Sequence, residues 1–134
     1  MGTIYSKKEL AGTGKQRTFE GDDLQQIAFP LGGLGSGCLH LGGAGNFQDF
    51  CLFNNPHFGH SPMTFAAVHC KEKGRKEGVM RVLEGPVQNP HIYNQARFGN
   101  GGLAAGHEGL PHMESAEFKG EFPFAQVALK DGAL

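Results

Sequence analysis

Clustered glycines can cradle a phosphate with backbone N–H groups, and this chain carries such a cluster at Phe29-Pro30-Leu31-Gly32-Gly33-Leu34-Gly35-Ser36-Gly37. Its spacing completes neither common nucleotide pattern. The dinucleotide pattern G-x-G-x-x-G, read from Gly33 and Gly35, needs glycine where Cys38 stands; read from Gly35 and Gly37, it needs glycine where His40 stands. A Walker loop opened at Gly32 reaches Gly37 and then meets Cys38 in place of its lysine, while Gly14-Lys15 has Glu9 where the first glycine belongs. Ser36 is not in a nucleophile elbow, because G-x-S-x-G would put glycines at the positions of Leu34 and Cys38. A nucleotide-binding module is therefore the weakest reading, and absence of a thermal shift with ATP or NAD would remove it.

Seven histidines raise the question of a metal, through Cys38-x-His40, His57-x-x-His60 and His69-Cys70. No paired C-x-x-C or H-E-x-x-H is present, and His57-x-x-His60 lies in a proline-bounded loop, so these read as surface or hydrogen-bonded histidines. Cys38, Cys51 and Cys70 are odd in number and widely spaced, which fits reduced thiols in a cytoplasmic protein better than a disulfide framework. Asp49 and Glu121 could serve acid/base chemistry if they faced one another, but capping or ion pairing explains each more simply. No catalytic, cofactor-binding or metal-ligating residue is assigned, and no cofactor is expected.

The elements that would position these groups are short. Residues 1–26 are polar and turn-prone and read as an irregular lead-in. Strands are expected at Cys38–Leu41, Phe47–Phe53, Thr64–Lys71, Val79–Glu84 and Phe122–Lys130, each bounded by Gly, Pro or Asn. Within Thr64–Lys71, Ala66, Val68 and Cys70 oppose Phe65, Ala67 and His69, a pattern suited to partial cover on both faces. Lys73–Gly78 then has hairpin length. Gly85 to Gly109 is a long loop rich in Gly, Asn and Pro. Phe122–Lys130 runs into Asp131-Gly132 with only Ala133 and Leu134 beyond, which reads as an unpaired strand in a truncated domain.

Composition indicates a core that is thin for the length. Leu, Ile, Val and Phe supply 31 of 134 residues, little above the roughly 20% below which disorder sets in. The 22 glycines are clustered rather than periodic, which points to tight turns instead of a linker. A net charge of −1 offers no electrostatic footprint for nucleic acid or an anionic membrane. The one basic cluster, Lys71-Glu72-Lys73-Gly74-Arg75-Lys76, reads as a solvated turn. No apolar run reaches membrane-spanning length.

Several motifs in order carry more information than the glycines alone. Ile27 to Gly37, Gly45-Asn46-Phe47-Gln48-Asp49-Phe50, Phe53-Asn54-Asn55-Pro56 and Gly109-Leu110-Pro111 through Phe124 together resemble the N-terminal domain of glycoside hydrolase family 116, the bacterial β-glucosidases and the non-lysosomal glucosylceramidase or bile acid β-glucosidase. The resemblance covers residues 5–131. It implies an all-β fold, a partial antiparallel β-sandwich with long Gly/Pro-rich loops, in which residues 27–134 are the first part of the sandwich. It also implies that the catalytic (α/α)6 barrel of the same polypeptide is the missing partner and holds both carboxylates of a retaining mechanism. Asp49 and Glu121 then inherit no catalytic role, and the chain alone is expected to be inactive.

Phe50 stands where the family usually has tryptophan, and His112 replaces its usual arginine after Gly-Leu-Pro. If that arginine pairs with the barrel, the exchange weakens the contact at neutral pH. Phe29, Phe47, Phe50, Phe53, Phe122 and Phe124 are expected as sheet-core or interface aromatics. The alternative is a self-standing carbohydrate-binding β-sandwich. It lacks the usual platforms, since the chain has no Trp and only Tyr5 and Tyr93.

Overall fold

The computed structural model describes residues 6–12, 14, 16–33, 35–53, 55–57, 63–87 and 109–134. Most of the Gly85–Gly109 loop, together with Tyr5, Leu34, Asn54, His60 and Tyr93, lies outside the described residues. The fold is all-β. Eight strands are described: β1 Phe19–Glu20, β2 Ala28–Leu31, β3 Gly37–Gly42, β4 Phe47–Leu52, β5 Ala67–Cys70, β6 Val79–Val82, β7 Ser115–Glu121 and β8 Phe124–Lys130. They form two three-stranded antiparallel sheets, β1-β7-β8 and β2-β3-β4, and a β5-β6 hairpin. A single helical turn, Lys7–Leu10, and a 3₁₀ turn, Gly21–Gln26, complete the described elements.

Period-two patterning decides which faces meet. In β7, Ala116 and Phe118 point inward while Glu117, Lys119 and Glu121 alternate outward. In β8, Ala125, Val127 and Leu129 are half-buried and Phe124, Gln126, Ala128 and Lys130 are exposed. The inward set packs around Leu24, Ala116 and Phe118, joined by Phe29 of β2 and Leu41 of β3, so the two three-stranded sheets share one core. The Phe29 and Phe118 rings lie 6.0 Å apart at 55°, an aromatic contact that bridges the layers. Gly120 completes this fit, because a Cβ there would come within 3.0 Å of the Phe29 ring.

The lead-in contributes to this core. Phe19–Glu20 pairs with Phe118 and Glu117, and Leu24 of the 3₁₀ turn is only 3% exposed. Gln16 Nε2 also donates to the Gly120 carbonyl at 2.9 Å.

The third element joins the others through its far end. β5 and β6 pair from Cys70↔Val79 to Ala67↔Val82, as the hairpin-length connection requires. Beyond the pair, Val82 N–H donates to the Pro111 carbonyl, Met113 N–H to that of Glu84, and Gly85 N–H to that of Ala44. Val82 is 1% exposed at this junction. In β5 itself only Val68 is half-buried, so the expected cover on both faces does not extend to its neighbours.

Phe122–Lys130 is not an unpaired strand: β8 pairs with β7 along its whole length, from Glu121↔Phe124 to Ser115↔Lys130, around the two-residue Phe122-Pro123 turn. Its other side is an edge of the described sheet.

Asp131, just past β8, anchors this hairpin to β6. Arg81 Nε donates to its Oδ2 at 2.5 Å, and Ala133 N–H to its Oδ1 at 2.8 Å. The Arg81 hydrogen bond, then that from Ala133, holds the carboxyl below its ordinary value of 3.8. A carboxyl depressed in the folded state adds stability above its unfolded pKa and loses it as pH falls through the folded value. Acidification from about pH 5 to about pH 2 should therefore lower the melting temperature more in the native chain than in Asp131→Asn. Equal losses in thermal melts would remove Asp131 from the acid response.

Candidate functional site

The face of β2-β3-β4 turned away from the core gathers the titratable groups. Leu41 faces the core, so its neighbour His40 faces outward, together with Cys38 two residues earlier and their cross-strand partners Gln48 and Cys51. Between those pairs β3 advances two residues while β4 advances three. The result is a bulge containing Asp49 at φ 52°. Aspartate tolerates that left-handed conformation better than most side chains. The bulge brings Asp49 Oδ2 to 3.9 Å from His40 Nδ1, an ion-pair distance once the imidazole is protonated and too long for a hydrogen bond. On the other edge of the ring, His40 Nε2 lies 4.0 Å from Cys38 Sγ. Cys51 Sγ accepts the His57 backbone N–H at 3.3 Å.

Asp49 and Glu121 are not brought together. Asp49 lies on the outer face of one sheet, while Glu121 is exposed on the outer face of the other. Face-packed sheets are about 10 Å apart, whereas retaining glycosidases hold their two carboxyl groups only about 5–5.5 Å apart. The two carboxylates therefore lie on opposite outer faces of the packed sheets. Ser36 is exposed and its Oγ donates to the Gly33 carbonyl at 3.3 Å, as in a local turn. His57 and His69 are exposed, and no group of three or more His, Cys, Asp or Glu among the described residues is placed to hold a metal ion.

The glycine run links β2 to β3, with Phe53 N–H donating to the Ser36 carbonyl across its mouth.

The phenylalanines divide into two groups. Phe29 packs on the core, and Phe47 and Phe50 are half-buried. Phe53, Phe122 and Phe124 are not core residues: they are 92%, 78% and 74% exposed, because each follows or lies outside the inward register of its strand. Sequence reasoning missed Phe118 and Leu24 as core, and also Glu84, a buried charged side chain at the β6 junction. Val82 and the Gly85-Pro86 turn on either side of Glu84 were the available signal. His112 is half-buried and its Nδ1–H donates to the Gly85 carbonyl at 3.1 Å, stitching the chain internally.

Residues 28–134, from the first residue of β2 to the end, match the family described as beta-glucosidase 2, glycosyl-hydrolase family 116 N-term. The chain belongs to this family. The family 116 match takes in seven of the eight strands and the outer-face cluster, and leaves β1 and the 3₁₀ turn before its start. No curated protein matches the chain. In this family 116 domain no helix among the described residues is long and apolar enough to cross a membrane.

Proposed function

We propose that this family 116 domain is the scaffold and inter-domain interface of a retaining β-glucosidase of glucosylceramidase type. The reacting carboxylates then lie in an (α/α)6 barrel of the same polypeptide, and β-glucoside substrate is handled by the intact enzyme. The family match carries the reading. It is supported by the separation of Asp49 from Glu121 and by the solvent-facing Phe53, Phe122 and Phe124, which a partner domain would cover. A cytoplasmic setting fits the three free thiols.

Hydroxyl-radical footprinting tests the interface. Phe53, Phe122 and Phe124 should label strongly in this chain and be protected in the parent enzyme; equal labelling in both would rule out a covering domain there.

The same exposed rings are the one observation that favours a self-standing carbohydrate-binding module. Saturable binding of a β-glucan by the monodisperse chain, lost in Phe53→Ser or Phe124→Ser, would establish that reading instead.

A further inference from the structure

We propose that Cys38 and Cys51 form a redox-active pair that closes to a cross-strand disulfide when the chain meets a hydroperoxide. The two residues are direct partners in the β3–β4 ladder. Facing residues in an antiparallel ladder have Cα atoms about 4.5–5.5 Å apart, inside the roughly 4.4–6.8 Å that a disulfide spans. Both side chains lie on the same outer face and are half-buried, open enough for a small peroxide. Cys70 stands apart: it is exposed on β5 and faces Val79.

The surroundings assign the two thiols different roles. His40 Nε2 lies 4.0 Å from Cys38 Sγ, and the Asp49 carboxylate stands 3.9 Å from the far nitrogen of the same ring. The imidazole can take the Cys38 thiol proton while Asp49 steadies the resulting cation, leaving a thiolate as attacking group. That thiolate attacks one peroxide oxygen; an S–O bond forms, the O–O bond breaks, and the departing hydroxide takes the imidazolium proton and leaves as water.

Cys38 is then a sulfenic acid, and Cys51 is its resolving partner. The Cys51 sulfur attacks the Cys38 sulfur; an S–S bond forms, the S–O bond breaks, and the hydroxide leaves as water with the Cys51 proton. In sum, two thiols are oxidised, one hydroperoxide is reduced, and two waters are released when the peroxide is hydrogen peroxide. In the reverse direction the His57 N–H that donates to Cys51 Sγ stabilises this sulfur as leaving thiolate, so the bond remains open to reduction by a small thiol.

Treatment of the intact chain with hydrogen peroxide, followed by alkylation and peptide mass analysis, tests this. The expected result is loss of both alkylatable thiols at Cys38 and Cys51, recovery of one cross-linked peptide pair, and retention of Cys70 as a free thiol. In denaturant that selectivity should vanish. Cys51→Ala should leave Cys38 as a sulfenic acid trappable by a cyclic 1,3-diketone. His40→Gln should slow oxidation of Cys38 and leave the rate at Cys70 unchanged. Cross-links that involve Cys70 as often as the other two, or a folded chain in which Cys38 and Cys51 both remain alkylatable, would overturn the proposal.

Discussion

Gly37→Ala should lower the melting temperature by about 10 °C, one of two large stability losses expected from single substitutions in this domain. Gly37 opens β3 at φ 91°, where an L side chain is strained. An added Cβ would sit 2.2 Å from the Cys51 carbonyl oxygen and 2.9 Å from Leu52 Cα. Both are backbone atoms of the paired strand and cannot rotate aside. Left-handed strain costs about 1–2 kcal/mol and overpacking typically about 1–3 kcal/mol. Together they remove about 3 kcal/mol of a stability that is usually about 5–15 kcal/mol. Gly35→Ala supplies the contrast: its φ is 79°, but nothing lies within 4 Å of the added carbon, so only the left-handed strain of about 1–2 kcal/mol applies. Melts of the two variants followed by circular dichroism should differ by several degrees. Equal melting temperatures would mean that contact with β4 is not what constrains Gly37.

Phe118→Ala is the second large effect. Phe118 is 2% exposed, pairs with Phe19 on one side and Val127 on the other, and stacks at an angle on Phe29 across the layers. Truncating such a ring costs about 3–5 kcal/mol through lost burial and the cavity left behind. Large buried side chains are few among the described residues, so this loss removes a large share of the core's contribution. Phe124→Ala, on the adjacent strand but 74% exposed, should change stability by no more than about 0.5 kcal/mol. Urea titrations of both variants separate the cases, and a Phe118→Ala midpoint near that of the native chain would place the core elsewhere.

The contrast between Phe118 and Phe124 also shows where sequence reasoning succeeds and where it stops. Short apolar runs closed by turn residues were legible: β4 and the β5-β6 hairpin fall inside their expected spans, and β3 extends one residue beyond each end of its own. β7 was not. Its sequence Ser-Ala-Glu-Phe-Lys-Gly-Glu has one large apolar residue, and the inward positions are filled by Ala116, Phe118 and Gly120: Gly120 is small where Phe29 fills the space from the other sheet, and Ala116 is small where Gly85 packs against it. Period-two reading needs bulk on the buried face, and here that bulk comes from another strand. Missing β7 also left Phe122–Lys130 without its partner and moved its start two residues early, placing Phe122 in the strand instead of the turn.

The outer-face cluster was half legible. Cys38-x-His40 stands out in the sequence, but its approach to Asp49 depends on a one-residue bulge in β4, and alternation alone does not reveal an inserted residue. The pairing of Cys38 with Cys51 depends on the same register. Family resemblance fared better because ordered motifs identify a domain even where individual strands are misplaced, and residues 28–134 match that family.

On the proposed function, this domain supports a family 116 glycosidase without supplying its reacting groups. Hydrolysis of an aryl β-glucoside by the purified chain tests it most directly, with the parent enzyme assayed alongside. The expected result is release of the aryl group by the parent and none above the uncatalysed rate by the chain. Turnover by the chain that is abolished in Asp49→Asn or Glu121→Gln would contradict the claim and place a reacting carboxylate in this domain.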